Sequence, residues 1–116
     1  RSQVPEIVSL LIESGADIDR QSDDRGYSPL MDAAQKGDSV MLELLLKAGA
    51  KPDLQSKDGQ TALIICAGRG DLTMSEILIK AGANSGIKDL LGMSAASYAK
   101  LFGNADLMAL FNTSPA

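Results

Sequence analysis

Hydrophobic and polar positions along this chain repeat with a period of 33 residues. Gly26, Gly59 and Gly92 keep that step, as do Gly37, Gly70 and Gly103, and the pair Gly49 and Gly82. The apolar positions move with the glycines: Leu30, Leu63 and Ala96; Ala33, Cys66 and Ala99; Met41, Met74 and Leu107; Leu44, Ile77 and Leu110; Leu45, Leu78 and Phe111. Several columns holding one offset are the signature of a repeat architecture. Backwards from Gly49, the matching glycine is Gly15, one residue beyond the period, with Ile7, Leu10 and Leu11 answering Met41, Leu44 and Leu45. The extra residue falls in the stretch 20–25, which must be a surface loop to accept it.

Each unit reads as two short helices and a polar loop. Ser28-Pro29, Thr61-Ala62 and Ser94-Ala95 each offer a hydroxyl N-cap and a first helical residue, proline in one case. The first helix carries Leu30, Ala33 and Ala34 on one face and ends at Gly37, Gly70 or Gly103, because a left-handed residue after a helix suits glycine. Asp38, Asp71 and Asn104 then cap a second helix, which carries Met41, Leu44 and Leu45 at i, i+3, i+4 spacing and stops at Gly49. About ten polar residues with turn chemistry follow, such as Gln55-Ser56-Lys57-Asp58-Gly59. The pattern predicts seven helices, one from the first unit and two from each of the next three. It predicts hairpin-like loops around 17–27, 51–60 and 84–93. Leu30, Leu44, Leu45, Leu63, Ile77 and Leu78 are the expected core, with Cys66 buried in a column of alanines.

The strings Gly26-Tyr27-Ser28-Pro29-Leu30-Met31-Asp32-Ala33-Ala34 and Gly59-Gln60-Thr61-Ala62-Leu63-Ile64-Ile65-Cys66-Ala67 resemble the opening of an ankyrin repeat. Leu44-Leu45-Leu46-Lys47-Ala48-Gly49-Ala50, Ile77-Leu78-Ile79-Lys80-Ala81-Gly82-Ala83 and Leu10-Leu11-Ile12-Glu13-Ser14-Gly15-Ala16-Asp17 resemble its close. The resemblance covers nearly the whole chain. It implies an all-α ankyrin-repeat solenoid of stacked helix-turn-helix units with short β-hairpin fingers. Residues 1–116 would form a single domain, with a partial unit over 1–22, units over 23–55 and 56–88, and a C-terminal cap over 89–116. The histidine that usually follows the Thr-Pro-Leu run is replaced by Met31, Ile64 and Ser97, which implies local softness and not a changed function. Lys100 stands where the inner units have Ala34 and Ala67, as suits a cap. The first unit shows only its second helix, over Val4–Gly15. This bare face reads as a segment of a longer protein, and it could self-associate.

Composition narrows the chemistry. Aromatics are only 3 % of the chain, so the core must be aliphatic and alanine-rich, which favours closely packed helices. The formal charge is −4 and the basic residues are scattered singly, which argues against a nucleic-acid partner. No apolar run approaches the roughly 20 residues that span a bilayer, so no membrane insertion is expected. The single cysteine and the absence of a signal-peptide layout fit an intracellular protein of cytoplasm or nucleus. There is no histidine to activate Cys66 as a nucleophile or to ligate a metal. Gly68-Arg69-Gly70 lacks the Lys-Ser/Thr of a phosphate loop and follows a helix, so it reads as a turn. Asp19, Asp23 and Asp24 lack the spacing of a calcium loop and read as a solvated acidic loop. Neither catalysis nor a cofactor is expected.

What remains is a surface. The resemblance implies that a partner protein or peptide is bound by the finger tips and the concave face of the first helices. Carried over by position, these are Arg25, Tyr27, Asp32 and Lys36 in one unit, with Asp24 and Gln35 beside them. The next unit offers Lys57, Asp58, Gln60, Ile65 and Arg69. The last offers Leu90, Met93 and Tyr98, with Leu91 and Leu101 beside them. Asp32, Ile65 and Tyr98 share one column and should form a row, with Tyr27, Ile65 and Tyr98 at the centre and Arg25, Lys57 and Arg69 at the rim. The competing account is that Ile65 and Tyr98 only close the stack and that Leu90, Leu91 and Leu101 only pack the cap. The function expected is that of an adaptor or scaffold module. The alternative is the substrate-recognition or targeting domain of a larger enzyme, such as a ubiquitin ligase, kinase or acyltransferase. The resemblance also raises hydroxylation of a finger asparagine, but the equivalent positions are Asp19, Asp53 and Gly86, so that role is not expected.

Overall fold

The computed structural model describes residues 18–113, so the helix expected over Val4–Gly15, with its bare face, lies outside the described residues. Six helices follow in order: α1 (Pro29–Lys36), α2 (Ser39–Lys47), α3 (Ala62–Arg69), α4 (Leu72–Lys80), α5 (Ala95–Leu101) and α6 (Ala105–Thr113). The first helices α1, α3 and α5 pack side by side in one layer, and the second helices α2, α4 and α6 pack in another. The described residues contain no strand.

Local chemistry starts and stops these helices as the sequence predicts. The hydroxyls of Ser28, Thr61 and Ser94 accept hydrogen bonds from the N–H groups of Met31, Ile64 and Ser97 at 3.1–3.3 Å. Each satisfies one of the orphan donors of a first turn. Gly37 and Gly70 end α1 and α3 in the left-handed region, with φ of 72° and 73°. The side chains of Asp38, Asp71 and Asn104 then cap the second helices through Met41, Met74 and Leu107 N–H at 3.0–3.1 Å.

The core lies between the two layers. Leu30, Leu45, Leu63 and Leu78 are buried, as expected, and so are Met31 and Ile64 in the column of the missing histidine. Leu44 and Ile77 are only half-buried, contrary to the expectation. Leu42 and Ser75 take the buried column instead. The reason is geometric: a second helix is covered on the side of the first helices and open behind. Ile77 sits on the flank, in a groove shared with Glu43, Leu46, Lys47, Lys80 and Ala81. The Ser75 hydroxyl is buried without a hydrogen-bond partner, a cost of about 1–3 kcal/mol at full desolvation. Cys66 is buried, and burial pushes its thiol up to about 12, with Asp71 adding to the shift and Arg69 opposing it.

The fingers are tight turns and not strand ladders. Each is closed by two backbone hydrogen bonds, a tip bond from the Gly26, Gly59 or Gly92 N–H to the Ser22, Ser56 or Asp89 carbonyl and an outer bond: Ser22 N–H to Tyr27 O at 2.9 Å, Ser56 N–H to Gln60 O at 2.8 Å, and Asp89 N–H to Met93 O at 2.9 Å. The first closure spans one residue more than the other two, which places the extra residue at that tip.

Candidate functional site

Successive fingers are stapled together, and the staples hold them in register. The Lys57 N–H donates to Arg25 O and the Leu90 N–H donates to Asp58 O, each at 3.0 Å. Gln21 Nε2 bridges Gly26 O and Gln55 O, and Gln55 Nε2 repeats the bridge to Gly59 O and Lys88 O. Asp19 accepts from the Lys51 N–H and Asp53 from the Asn84 N–H, both at 2.9 Å. The two residues in the hydroxylation column are therefore structural acceptors. Such close packing needs glycine: a Cβ on Gly59 would stand 2.9 Å from the Leu90 nitrogen.

On this frame the expected site residues form two groups. Arg25, Tyr27 and Gln60 meet at the fingers. The Arg25 guanidinium lies 5.8 Å from the Tyr27 ring centroid, a cation–π contact, and the Tyr27 hydroxyl donates to Gln60 Oε1 at 3.4 Å. Met93 follows in the same column and is half-buried. The second group lies across the first helices, in a depression of about 220 Å³ lined by Gln35, Gln60, Ile64, Ile65, Gly68, Arg69 and Tyr98. Ile65 is 6 % exposed, so it forms a floor and does not project as a contact. Asp32 and Lys36 are exposed on α1, as are Lys57, Asp58 and Leu90 on the finger tips.

Two rim cations also have structural work. Arg69 Nη1 donates to Gln35 O at 3.0 Å, where the C-terminal carbonyls of α1 favour a cation. Lys57 Nζ donates to the Asp23 carbonyl. Tyr98 is anchored as well: its hydroxyl donates to Asp89 Oδ2 at 2.5 Å and its ring stacks on Phe102 with centroids 6.4 Å apart. Asp89 replaces the finger serines Ser22 and Ser56 and is buried. Burial pushes its carboxyl up. Hydrogen bonds from the Tyr98 hydroxyl and from the Met93 and Leu91 N–H groups outweigh this and hold it below the usual carboxylate range. The same bond to Asp89 raises the Tyr98 hydroxyl above the ordinary tyrosine value.

The structure adds Phe102, which sequence reasoning missed, beside the expected Leu91 and Leu101. Phe102 is 60 % exposed beside Tyr98, and Leu91 and Leu101 are 80 % and 63 % exposed. The signal for Phe102 lay in its column, where the inner units carry Lys36 and Arg69. Among the described residues no cluster of potential metal ligands occurs, and no helix is long and apolar enough to cross a membrane.

The family model for ankyrin repeats in three copies matches residues 1–56 and 30–112. The chain belongs to the ankyrin-repeat family. An ankyrin repeat-containing protein of Treponema pallidum is 47 % identical over 105 residues, which cover 90 % of this chain and 35 % of that protein. The human 2-5A-dependent ribonuclease is 38 % identical over 60 residues, 52 % of this chain and 8 % of that enzyme. The mouse B-cell lymphoma 3 protein homolog is 43 % identical over 58 residues, 50 % of this chain and 13 % of that protein. The chain thus spans about a third of the Treponema relative and small fractions of the others. Ankyrin repeats are in general protein–protein interaction modules without catalysis of their own, and some relatives here are parts of larger enzymes.

Proposed function

We propose that this ankyrin-repeat chain binds a partner polypeptide on the face made by its fingers and first helices, as an adaptor or scaffold module. The observation that carries the reading is the depression across the first helices, with the apolar floor of Ile64 and Ile65 and a wall of Gln35, Gln60, Arg69 and Tyr98. An apolar centre inside a polar rim is the anatomy of an interface. The staples between fingers hold the surface before a partner arrives, so little ordering entropy opposes binding. A wider groove of about 350 Å³ lies between α2 and α4. It is a product of helix packing, flanked by Glu43, Lys47 and Lys80, and we assign it no partner. The similarity to a ribonuclease supports a second reading, in which this face selects the substrate of a catalytic domain elsewhere in a longer protein.

Site-specific photocrosslinking tests the proposal. Benzoylphenylalanine at Gln60, on the finger side, should capture a discrete partner in an extract of the native cell. The same group at the exposed Glu76 of α4 should not. Capture from Glu76 alone would move the binding surface to the second helices.

A further inference from the structure

Among the described residues Gly68 is the one glycine inside a helix. Glycine there is destabilising relative to alanine, because it loses more conformational freedom on folding. Backbone geometry does not ask for it: Gly59 and Gly70 stand at positive φ, and Gly68 does not. Close packing does not ask for it either, since a Cβ at Gly68 would meet nothing within 4 Å. The neighbouring units carry Gln35 and Leu101 in this column, so the repeat accepts a long side chain there.

What the glycine does is leave space. Gly68 lines the depression of about 220 Å³ across the first helices. It lies on α3, which packs between α1 and α5, so the space has a wall on either side. Ile64 and Ile65 supply the floor. The walls are fixed beforehand. Tyr98 on α5 is held by its bond to Asp89 and by its stacking on Phe102. Arg69 donates to the Gln35 carbonyl at the end of α1. A side chain as long as that of Gln35 or Leu101, placed at position 68, would occupy the space instead.

We infer that Gly68 is the specificity-determining position of this face, and that the space it leaves takes one large apolar side chain, such as leucine, methionine or phenylalanine, from a partner polypeptide. This rests on the protein-binding reading above and narrows it. Size favours a side chain over a free small molecule, whose sites run to about 300–1,000 Å³. Charge favours an uncharged one. The lining residues include no carboxylate, and their one cation, Arg69, is turned to a carbonyl of its own chain. The exposed charges elsewhere on the face are of both signs, Asp32 and Lys36 on α1 and Lys57 and Asp58 on the finger, so they select neither. A charged group set on the isoleucine floor would lose water without a partner in return. The partner's main chain can be met beside the floor by the Gln35 amide and by Gln60 Nε2, since Gln60 Oε1 already accepts from Tyr27.

Random peptides displayed on phage and selected on the whole chain test this. Enriched peptides should share one large apolar residue at a fixed place. Trimming that residue to alanine should weaken binding about ten-fold or more. Gly68→Gln, which copies the neighbouring unit, should weaken the untrimmed peptide to the same degree, and the two losses should not add. Gly68→Ala should raise the melting temperature and still weaken binding, because the glycine serves the partner at the expense of the fold. A lower melting temperature or a lost circular dichroism spectrum in Gly68→Ala would overturn the inference, since the glycine would then serve the structure. Additive losses would overturn it too, by placing the apolar residue elsewhere. Peptides indifferent to Gly68→Gln but lost on Asp32→Arg or Lys36→Glu would overturn it and leave the protein-binding reading standing. So would a shared Asp or Glu whose binding is lost on Arg69→Gln. No enrichment, or peptides indifferent to every change on this face, would overturn both.

Discussion

Gly59 and Gly92 have nearly the same backbone angle, φ of 81° and 79°, and opposite surroundings. A Cβ on Gly59 would meet the next finger at 2.9 Å, whereas a Cβ on Gly92 would meet nothing within 4 Å. The same contrast appears at two further columns of the last unit. Leu63 is buried and Ala96 is exposed; Ala67 is buried and Lys100 is exposed. Repetition sets the backbone, and the neighbour, or its absence, sets the side chain. Leu90, Leu91, Leu101 and Phe102 stand out because the inner units carry polar residues or glycine in their columns.

The comparison can be broken most forcefully in the core. Leu63→Ala should destabilise the chain by about 2–5 kcal/mol, since an inner column cannot refill the space. Ala96→Leu, at the same column of the last unit, should leave the denaturant midpoint close to wild type. Equal losses in the two variants would mean that the last unit is buried against something else.

The fingers give the next largest effect. Gly59→Ala and Gly92→Ala share the left-handed strain of about 1–2 kcal/mol. Only Gly59→Ala adds overpacking against the next finger, of about 1–3 kcal/mol. The difference between the two melting temperatures isolates the contact between fingers. No difference would show that the fingers do not support one another.

The smallest effect is in acid. The Asp89 carboxyl is held below its ordinary value in the folded chain, so its contribution is fully present above the usual aspartate value of about 3.9. It is lost as pH falls through the lower folded value. Asp89→Ser, which copies the inner fingers, should flatten that part of the stability–pH curve. Tyr98→Phe should flatten it in part by removing one of the three hydrogen bonds. An acid limb unchanged in both variants would remove Asp89 from the account.

Much of this was legible in the sequence, because caps and glycine stops act within one unit. Ser28, Thr61, Asp38 and Asp71 announce their helices by chemistry that reaches three residues forward. What acts between units was harder to read. The helical period placed Leu44 and Ile77 on an apolar face but could not say that their flank stays open behind the first layer. The staples of Gln21 and Gln55 repeat across a loop that carries an insertion, which hides their common offset. Ile65 was legible as a member of the concave row, but its depth depends on the walls that Tyr98 and Arg69 build beside it. Phe102 was masked by reading one row at a time, when the contrast with Lys36 and Arg69 lies along a column.

The central claim is that binding belongs to the finger and first-helix face. Amide chemical-shift mapping of the whole chain, titrated with a peptide selected on it, tests that most directly. The account predicts the largest shifts at Gln35, Gln60, Ile65, Gly68, Arg69 and Tyr98, around the depression across the first helices. Shifts concentrated instead along Glu43, Leu46, Lys47, Ile77 and Lys80, in the groove between the second helices, would contradict it.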